Sequence, residues 1–337
     1  MIASQRSLMK KFINTVEDFL DESLRGFALA HADIVDFSPE PRFVFRKAPA
    51  RPGKVALVSG GGSGHEPLHT GFVGLGMLDA ACPGQVFTSP TPDQMLAAAQ
   101  AVDHGGGVLF IVKNYAGDVM NFEIAAEMLD IPHDSLLVHD DVSLPENRGM
   151  GRRGIAGTTV VEKIVGAAAE AGYDLAACKA LGERVVHATA SMGVALTSCT
   201  VPALSKPMFE LGEREMEMGV GIHGERGRER MALGSAGEIV DYIAAVIDEE
   251  LKPRPGQPVL LHVNGFGGTP LIELHLVYGL AHRYWSGRGV DIARSLVGNY
   301  TTSLDMAGCS LTLSLLDEEM LRLWDAPVHT AALRWGC

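Results

Sequence analysis

The chain has no C-x-x-C pair, no extended run of positive charge and no apolar stretch of membrane-spanning length. Each absence removes a class of function. The five cysteines, Cys82, Cys178, Cys199, Cys309 and Cys337, are odd in number and widely spaced. That pattern excludes a disulfide framework and a cysteine-based zinc site, and it fits reduced thiols in a cytoplasmic protein. Net charge is −13 and no basic cluster exceeds a doublet such as Arg152-Arg153, so neither nucleic acid nor an anionic membrane is an expected partner. Apolar stretches are broken by glycine or charge well before 18 residues, which excludes a spanning helix. Arg6, Lys10 and Lys11 precede no sustained apolar segment and no cleavage pattern, so no leader is expected. A G-x-x-x-x-G-K-[ST] phosphate loop is also missing.

What is present is a glycine-rich α/β composition. At 337 residues the chain suggests two domains, taking roughly 150 residues for each. Hydrophobic residues make up 47%, enough for full cores, and the 39 glycines exceed the usual share of about 7%. An amphipathic entry helix is predicted over Asn14 to Leu29. Strand signals follow at Lys54–Val58, Gly107–Lys113 and Asp134–His139, with helices between them at Pro92–Asp103 and Phe122–Leu129. Thr158 to Ala171 reads as a helix capped by Thr158 or Thr159, and Asp174 to Val186 as another. This alternation indicates a mixed or mostly parallel sheet flanked by helices. The pattern changes near residue 190. Val194–Val201 and Pro258–Asn264 are strand-like, Ala236–Glu250 is helical, Thr269-Pro270 opens a helix, and Ile292–Leu316 reads as two strands. The expected organisation is two α/β domains, 1–190 and 191–337.

Three constellations carry chemistry. Ser59-Gly60-Gly61-Gly62-Ser63-Gly64-His65-Glu66-Pro67 follows an apolar strand and is predicted to turn into a helix. Glycines there would let backbone N–H groups approach an oxygen-rich ligand, with His65 at the mouth of the turn. The alternative is a turn that needs glycine only for tight geometry. Lys113-Asn114-Tyr115-Ala116-Gly117-Asp118 closes the buried strand Val108–Ile111. Ligands of open α/β sheets sit beyond strand carboxyl ends, so Lys113 and Asp118 are placed where a cation and a carboxylate are useful, unless they form a plain loop ion pair. Gly219-Val220-Gly221-Ile222-His223-Gly224-Glu225 presents a histidine with few neighbours to pack against. His65-Glu66-Pro67-Leu68-His69 also matches the H-E-x-x-H zinc motif formally. Pro67 inside the five residues argues against it, because proline is tolerated only in a helix's first turn.

Taken in order, KVALVSGGGSGHEP from Lys54, FTSPTPD from Phe87, KNYAGD from Lys113, GRRG from Gly151, MEMGVGIHGE from Met216 and LWDAPVHTAALRWG from Leu323 resemble the dihydroxyacetone-binding subunits (DhaK) of dihydroxyacetone kinases, over nearly the whole chain. The resemblance implies that His223 forms a covalent hemiaminal with the ketone of dihydroxyacetone and that His65 and Asp118 activate its hydroxyl. It implies substrate-binding positions at Gly62, Ser63, Gly64 and Lys113, with no metal. It further implies a homodimer and a separate helical DhaL-type partner that carries ADP or ATP with Mg, fed by phosphoenolpyruvate through a phosphotransferase system, or a partner using ATP. This chain itself would bind no cofactor. Two other functions fit the same resemblance: a ligand-sensing coactivator of a transcription regulator, and a kinase subunit for a related ketose such as erythrulose. Retention of His65 and Asp118 favours the kinase subunit.

Overall fold

The computed structural model describes residues 10–145, 151–204 and 206–337; Arg6, noted above, lies outside them. The first half builds from α1 (Phe19–Ala30), which buries Leu20 and Leu24, and the hairpin of β1 (Val35–Pro39) with β2 (Arg42–Arg46). Then come β3 (Ala56–Ser63), β4 (Gly74–Leu75), β5 (Ala80–Val86), α2 (Pro92–Val102), β6 (Val108–Lys113), α3 (Ala116–Glu127) and β7 (His133–Val138). They make a six-stranded sheet of order β1-β2-β5-β3-β6-β7. Strands β5, β3, β6 and β7 run parallel, and the hairpin joins antiparallel through β2. Side chains alternate across β3 as strand pleating requires. Val55 and Leu57 join one core, while Ala56 and Val58 join the core that α2 and α3 cover with Met95 and Phe122.

After α4 (Gly157–Ala171) and α5 (Leu175–His187), the second sheet begins with β8 (Thr189–Ala195). The expected boundary at residue 190 falls inside this strand. A short pair follows, β9 (Thr200–Val201) with β10 (Lys206–Pro207). Next are β11 (Glu215–Met218), β12 (Glu229–Ala232), α6 (Ala236–Leu251), β13 (Pro258–Gly265), α7 (Leu271–Ser286), β14 (Asp291–Gly298) and β15 (Gly308–Leu315). The sheet order is β12-β11-β8-β15-β13-β14, antiparallel except for β13 against β14. Helices α6 and α7 cover one face over Val240, Ile243, Leu274 and Trp285. The chain then returns to the first half: α8 (Glu318–Asp325) packs on α4, and β16 (Val328–Thr330) pairs with both β17 (Arg334–Trp335) and β4. All five cysteines are free thiols, Cys337 exposed and the others buried.

Two local expectations fail for physical reasons. Gly60, Gly61 and Gly62 are not a turn before a helix: they lie inside β3, paired with β5, and the next helical element is a single 3₁₀ turn at Thr70–Phe72. A Cβ on Gly60 would sit 2.6 Å from the Cys82 carbonyl, and one on Gly62 2.6 Å from the Thr88 amide. Close strand packing therefore demands these glycines. Nor do Thr158 and Thr159 cap α4. The N-cap is Ala156, which has no capping side chain. Asp140, beyond β7, substitutes for it by accepting from the amides of Ile155 (2.8 Å) and Gly157 (2.7 Å). Burial pushes the Asp140 carboxyl up, and these donors pull against that.

Helix α4 is the element on which both halves rest. Every residue from Gly157 to Ala169 is buried, and the helix touches β3 and β7 of one sheet and β8 and β15 of the other. Replacing Asp140 with Asn would put an NH₂ where two buried amides need an acceptor. Asp140→Asn is expected to lower unfolding free energy by about 1–3 kcal/mol in urea titration; unchanged stability would remove Asp140 from this capping role.

Candidate active site

Strand β6 ends by delivering Lys113, whose side chain is 1% exposed. A buried ammonium needs partners on every side. Lys113 Nζ donates to the Gly60 carbonyl at 3.2 Å and to His69 Nε2 at 2.8 Å, and it faces Asp118 Oδ2 at 3.4 Å. A Cβ on Gly61 would lie 2.3 Å from this Nζ, so the second strand glycine makes room for the ammonium. Asp118 lies in the first turn of α3, where helix amides favour a carboxylate. Its Oδ1 accepts from the Ser89 hydroxyl.

Just past β3, Gly64 takes a left-handed conformation (φ +103°), which a side chain would strain. Its amide is held by the Glu66 carboxylate at 3.0 and 3.1 Å. The turn then places His65 in full burial, with Nδ1 2.7 Å from the Thr302 carbonyl. A carbonyl only accepts, so Nδ1 carries the proton and Nε2 keeps its lone pair. That Nε2 is buried with no hydrogen-bond partner among the described residues. Burial, then the nearby His223 and Lys113 charges, hold the ring well below the usual histidine range. His65 is a neutral acceptor.

The segment after β14 clamps this turn from the second half. Thr302 N–H donates to the His65 carbonyl (3.2 Å) and Leu304 N–H to the Gly64 carbonyl (2.9 Å). Leu304 (φ 54°) and Phe87 (φ 55°) are both left-handed and both flank Gly64, local strain of a kind that gathers at functional sites.

His223 arrives on the loop between β11 and β12, 19% exposed at its side chain. Its ring contacts His65 (centroids 4.7 Å apart), Phe87 (5.3 Å) and Tyr115 (4.6 Å) edge to face. Glu225 fixes it twice: Oε2 accepts from the His223 amide at 3.0 Å and Oε1 from ring Nδ1 at 2.7 Å. Behind them Arg153 is buried against Asp141 and donates to the Gly219 carbonyl at 2.7 Å. A Cβ on Gly221 would lie 1.9 Å from Glu225 Oε2 and 2.6 Å from Arg153 Nη1, which accounts for that loop's glycine. Beside Glu225 opens a cavity of about 340 Å³ lined by Phe209, Glu217, Gly224, Arg226 and Arg230.

The structure thus brings His65 together with His223, and Lys113 with Asp118. Tyr115, three residues before Asp118, packs on His223. Ser63 behaves differently: its hydroxyl is buried and donates to the Gly84 carbonyl at 2.7 Å, away from the rings. Among the described residues no cluster of histidine, cysteine and acidic side chains is arranged to hold a metal. The H-E-x-x-H match is not helical, and both His69 nitrogens are engaged inside the fold. Sequence reasoning missed Glu225, Tyr115, Ser89 and Phe87. Glu225 was legible in principle, as a carboxylate two residues beyond a glycine-flanked histidine.

Burial would raise the Glu225 carboxyl, but the His223 hydrogen bond, its charge and Arg153 outweigh it and bring it down from 4.5 to about 2. A depressed carboxylate contributes stability that is complete above the unfolded value near 4.5 and is lost as pH falls through about 2. A ¹³C titration of the Glu225 carboxyl should therefore show its midpoint near 2; a midpoint at or above 4.5 would mean the link to His223 is not formed.

The family model for the Dak1 domain matches residues 25–332. Over 97% of this chain and 100% of the relative, the sequence is 46% identical to the PEP-dependent dihydroxyacetone kinase, dihydroxyacetone-binding subunit DhaK, of Escherichia coli (strain K12). Among solved structures, the dihydroxyacetone kinase operon co-activator Dha-DhaQ superposes with a TM-score of 0.87 at 33% identity, covering 92% of this chain and 96% of that one. The dihydroxyacetone kinase of C. freundii gives 0.87 at 36% identity, covering 96% of this chain and 60% of that one.

Proposed function

The chain belongs to the Dak1 family, and from that premise we propose that it is the dihydroxyacetone-binding subunit of a dihydroxyacetone kinase, with His223 as the covalent ligand of the substrate. The observation that carries this reading is the Glu225–His223 contact. With Nδ1–H donated to Glu225, ring Nε2 has its lone pair available as a nucleophile. Nε2 bonds to the ketone carbon, the carbonyl electron pair moves to oxygen, and that oxygen takes up a proton. Glu225 stays a carboxylate and passes the ring's Nδ1 proton on to solvent as the oxygen takes one up, so no net proton is gained and the hemiaminal is neutral. A polyol such as glycerol has no carbonyl and fails this test whatever its shape. The covalent link also fixes the hydroxyl's position, which removes orientational freedom before phosphoryl transfer.

The hydroxyl is then activated from the other half of the molecule. In the bound state the hydroxyl donates to His65 Nε2, an unpartnered buried acceptor; in the transfer step the O–H turns to Asp118, which accepts its proton, a contribution of about 10²–10⁴-fold for general-base catalysis. Lys113 offsets negative charge on the substrate and the incoming phosphoryl group. Gly62 and Gly64 let the Phe87–Thr88 segment pack close beside His65. The phosphoryl donor is held by a helical DhaL-type partner carrying ADP or ATP with Mg. The name of the Escherichia coli relative favours phosphoenolpyruvate as its source. The likeness to a co-activator is weaker in identity than that to the kinase subunit, and the pair His65 and Asp118 gives this chain a hydroxyl-activating function that sensing does not need.

The pure chain should not turn over dihydroxyacetone with ATP, and a DhaL-type partner with its donor system should restore turnover. In that reconstituted system Asp118→Asn is expected to lose phosphoryl transfer by at least about 10²-fold while ketone affinity holds. His223→Ala should weaken ketone binding and relax the rejection of glycerol, with His65→Asn between the two. Near-normal turnover of Asp118→Asn would overturn the assignment of the activating carboxylate.

A further inference from the structure

The second histidine of the H-E-x-x-H stretch has no part in the chemistry above, yet it is among the most constrained groups in the molecule. His69 is buried and shares the Lys113 ammonium with Asp118's carboxylate. Its Nε2 lies 2.8 Å from Lys113 Nζ. Its Nδ1 lies 2.6 Å from Glu162 Oε1 and 3.0 Å from the Ser59 hydroxyl. Glu162 comes from the middle of α4, is fully buried, and has no partner at Oε2 among the described residues. A carboxyl group in the centre of a helix buried on all sides is costly and needs a reason.

The donor and acceptor count fixes the ring's state. An ammonium only donates, so His69 Nε2 must accept from Lys113. The Ser59 hydroxyl has oxygens to donate to, the Ile111 carbonyl at 2.7 Å and the Glu162 carboxyl, so it does not need to donate to His69 Nδ1. Nδ1 therefore carries the proton, and Glu162 Oε1 accepts from it. The result is a directed chain in which Lys113 donates to His69 and His69 to Glu162, with the ammonium facing Asp118. Burial, with the Lys113 charge next, keeps the His69 ring neutral, which preserves that direction.

We propose that His69 and Glu162 are positioning residues for Lys113: Glu162 sets the His69 tautomer, and the His69 Nε2 acceptor holds the Lys113 ammonium over Gly61 and against Asp118. Ammonium charge is thereby delivered to the place where negative charge grows during phosphoryl transfer, with no solvent needed to orient it. This rests on the kinase-subunit reading for its catalytic consequence, but the ring state itself does not.

Two measurements separate the cases. Nitrogen-15 NMR of ring-labelled wild-type protein should find His69 as the Nδ1–H tautomer, and Glu162→Leu should remove its low-field N–H signal. In reconstituted turnover, His69→Gln keeps a side-chain carbonyl to accept from Lys113, whereas His69→Leu does not. His69→Leu is expected to lose about tenfold or more in kcat, a barrier change of ~1.4 kcal/mol, with KM for the ketone little changed and His69→Gln recovering part of the loss. A role in folding alone would make both variants fail together and track thermal stability. An Nε2–H tautomer in the wild type, equal loss in both variants, or wild-type turnover by His69→Leu would each overturn the proposal. Absence of turnover in the wild type would instead refute the kinase-subunit reading, and the tautomer would then decide alone whether His69 accepts from Lys113.

Discussion

The constraint that organises this protein is the burial of the Lys113 ammonium. An unpaired charge in the interior is disfavoured by far more than a single hydrogen bond returns, so the surrounding chain must supply partners on all sides. It does so from four separated segments: the Gly60 carbonyl, the His69 ring, the Asp118 carboxylate and, through His69, Glu162. That demand explains features that look unrelated along the sequence. Gly61 has no side chain because the ammonium occupies that volume. The first turn of α3 starts where it does because Asp118 must face back toward β6. The centre of α4 carries Glu162 because the ring that accepts from Lys113 has to be oriented.

A second constraint joins the two sheets. Helix α4 lies between them with no exposed face over Gly157–Ala169, and the segment after β14 reaches across to hold the Gly64–His65 backbone. The His65 ring is thus positioned by the Thr302 carbonyl of the other half, and His223 by its own loop through Glu225. Neither half alone presents both rings. In the proposed chemistry, carbonyl capture and hydroxyl activation come from opposite sides of this junction. In that reading, the hydrogen-bonded seam between the halves does the positioning.

Much of this architecture is legible in the amino-acid sequence. The strand at Gly107–Lys113 and the helices from Pro92, Asp174 and Ala236 follow from short-range pattern, and the ordered motifs separately carry the family resemblance. The glycine run is not legible in the same way, because three glycines give the same local signal in a turn as in a strand interior. Only the distances to Cys82, Thr88 and Lys113 separate the two. The cap of α4 escapes short-range pattern because its acceptor, Asp140, stands seventeen residues before Gly157 and meets it only in the fold. Glu162 is unreadable for a similar reason: a glutamate in a helix normally faces water, and nothing local announces that this helix has no such face. Ser63 draws attention through its motif, while its hydroxyl serves the neighbouring strand at Gly84.

Covalent capture rests on a carbon–nitrogen bond between the ligand and His223, and isotope labelling addresses it directly. Protein with ¹⁵N-labelled histidine rings, mixed with dihydroxyacetone carrying ¹³C at the ketone carbon, should show one-bond carbon–nitrogen coupling to Nε2 of His223. The coupling should vanish in His223→Ala. A bound ligand whose ketone carbon shows no coupling to any ring nitrogen, or coupling that survives His223→Ala, would contradict covalent capture at this residue.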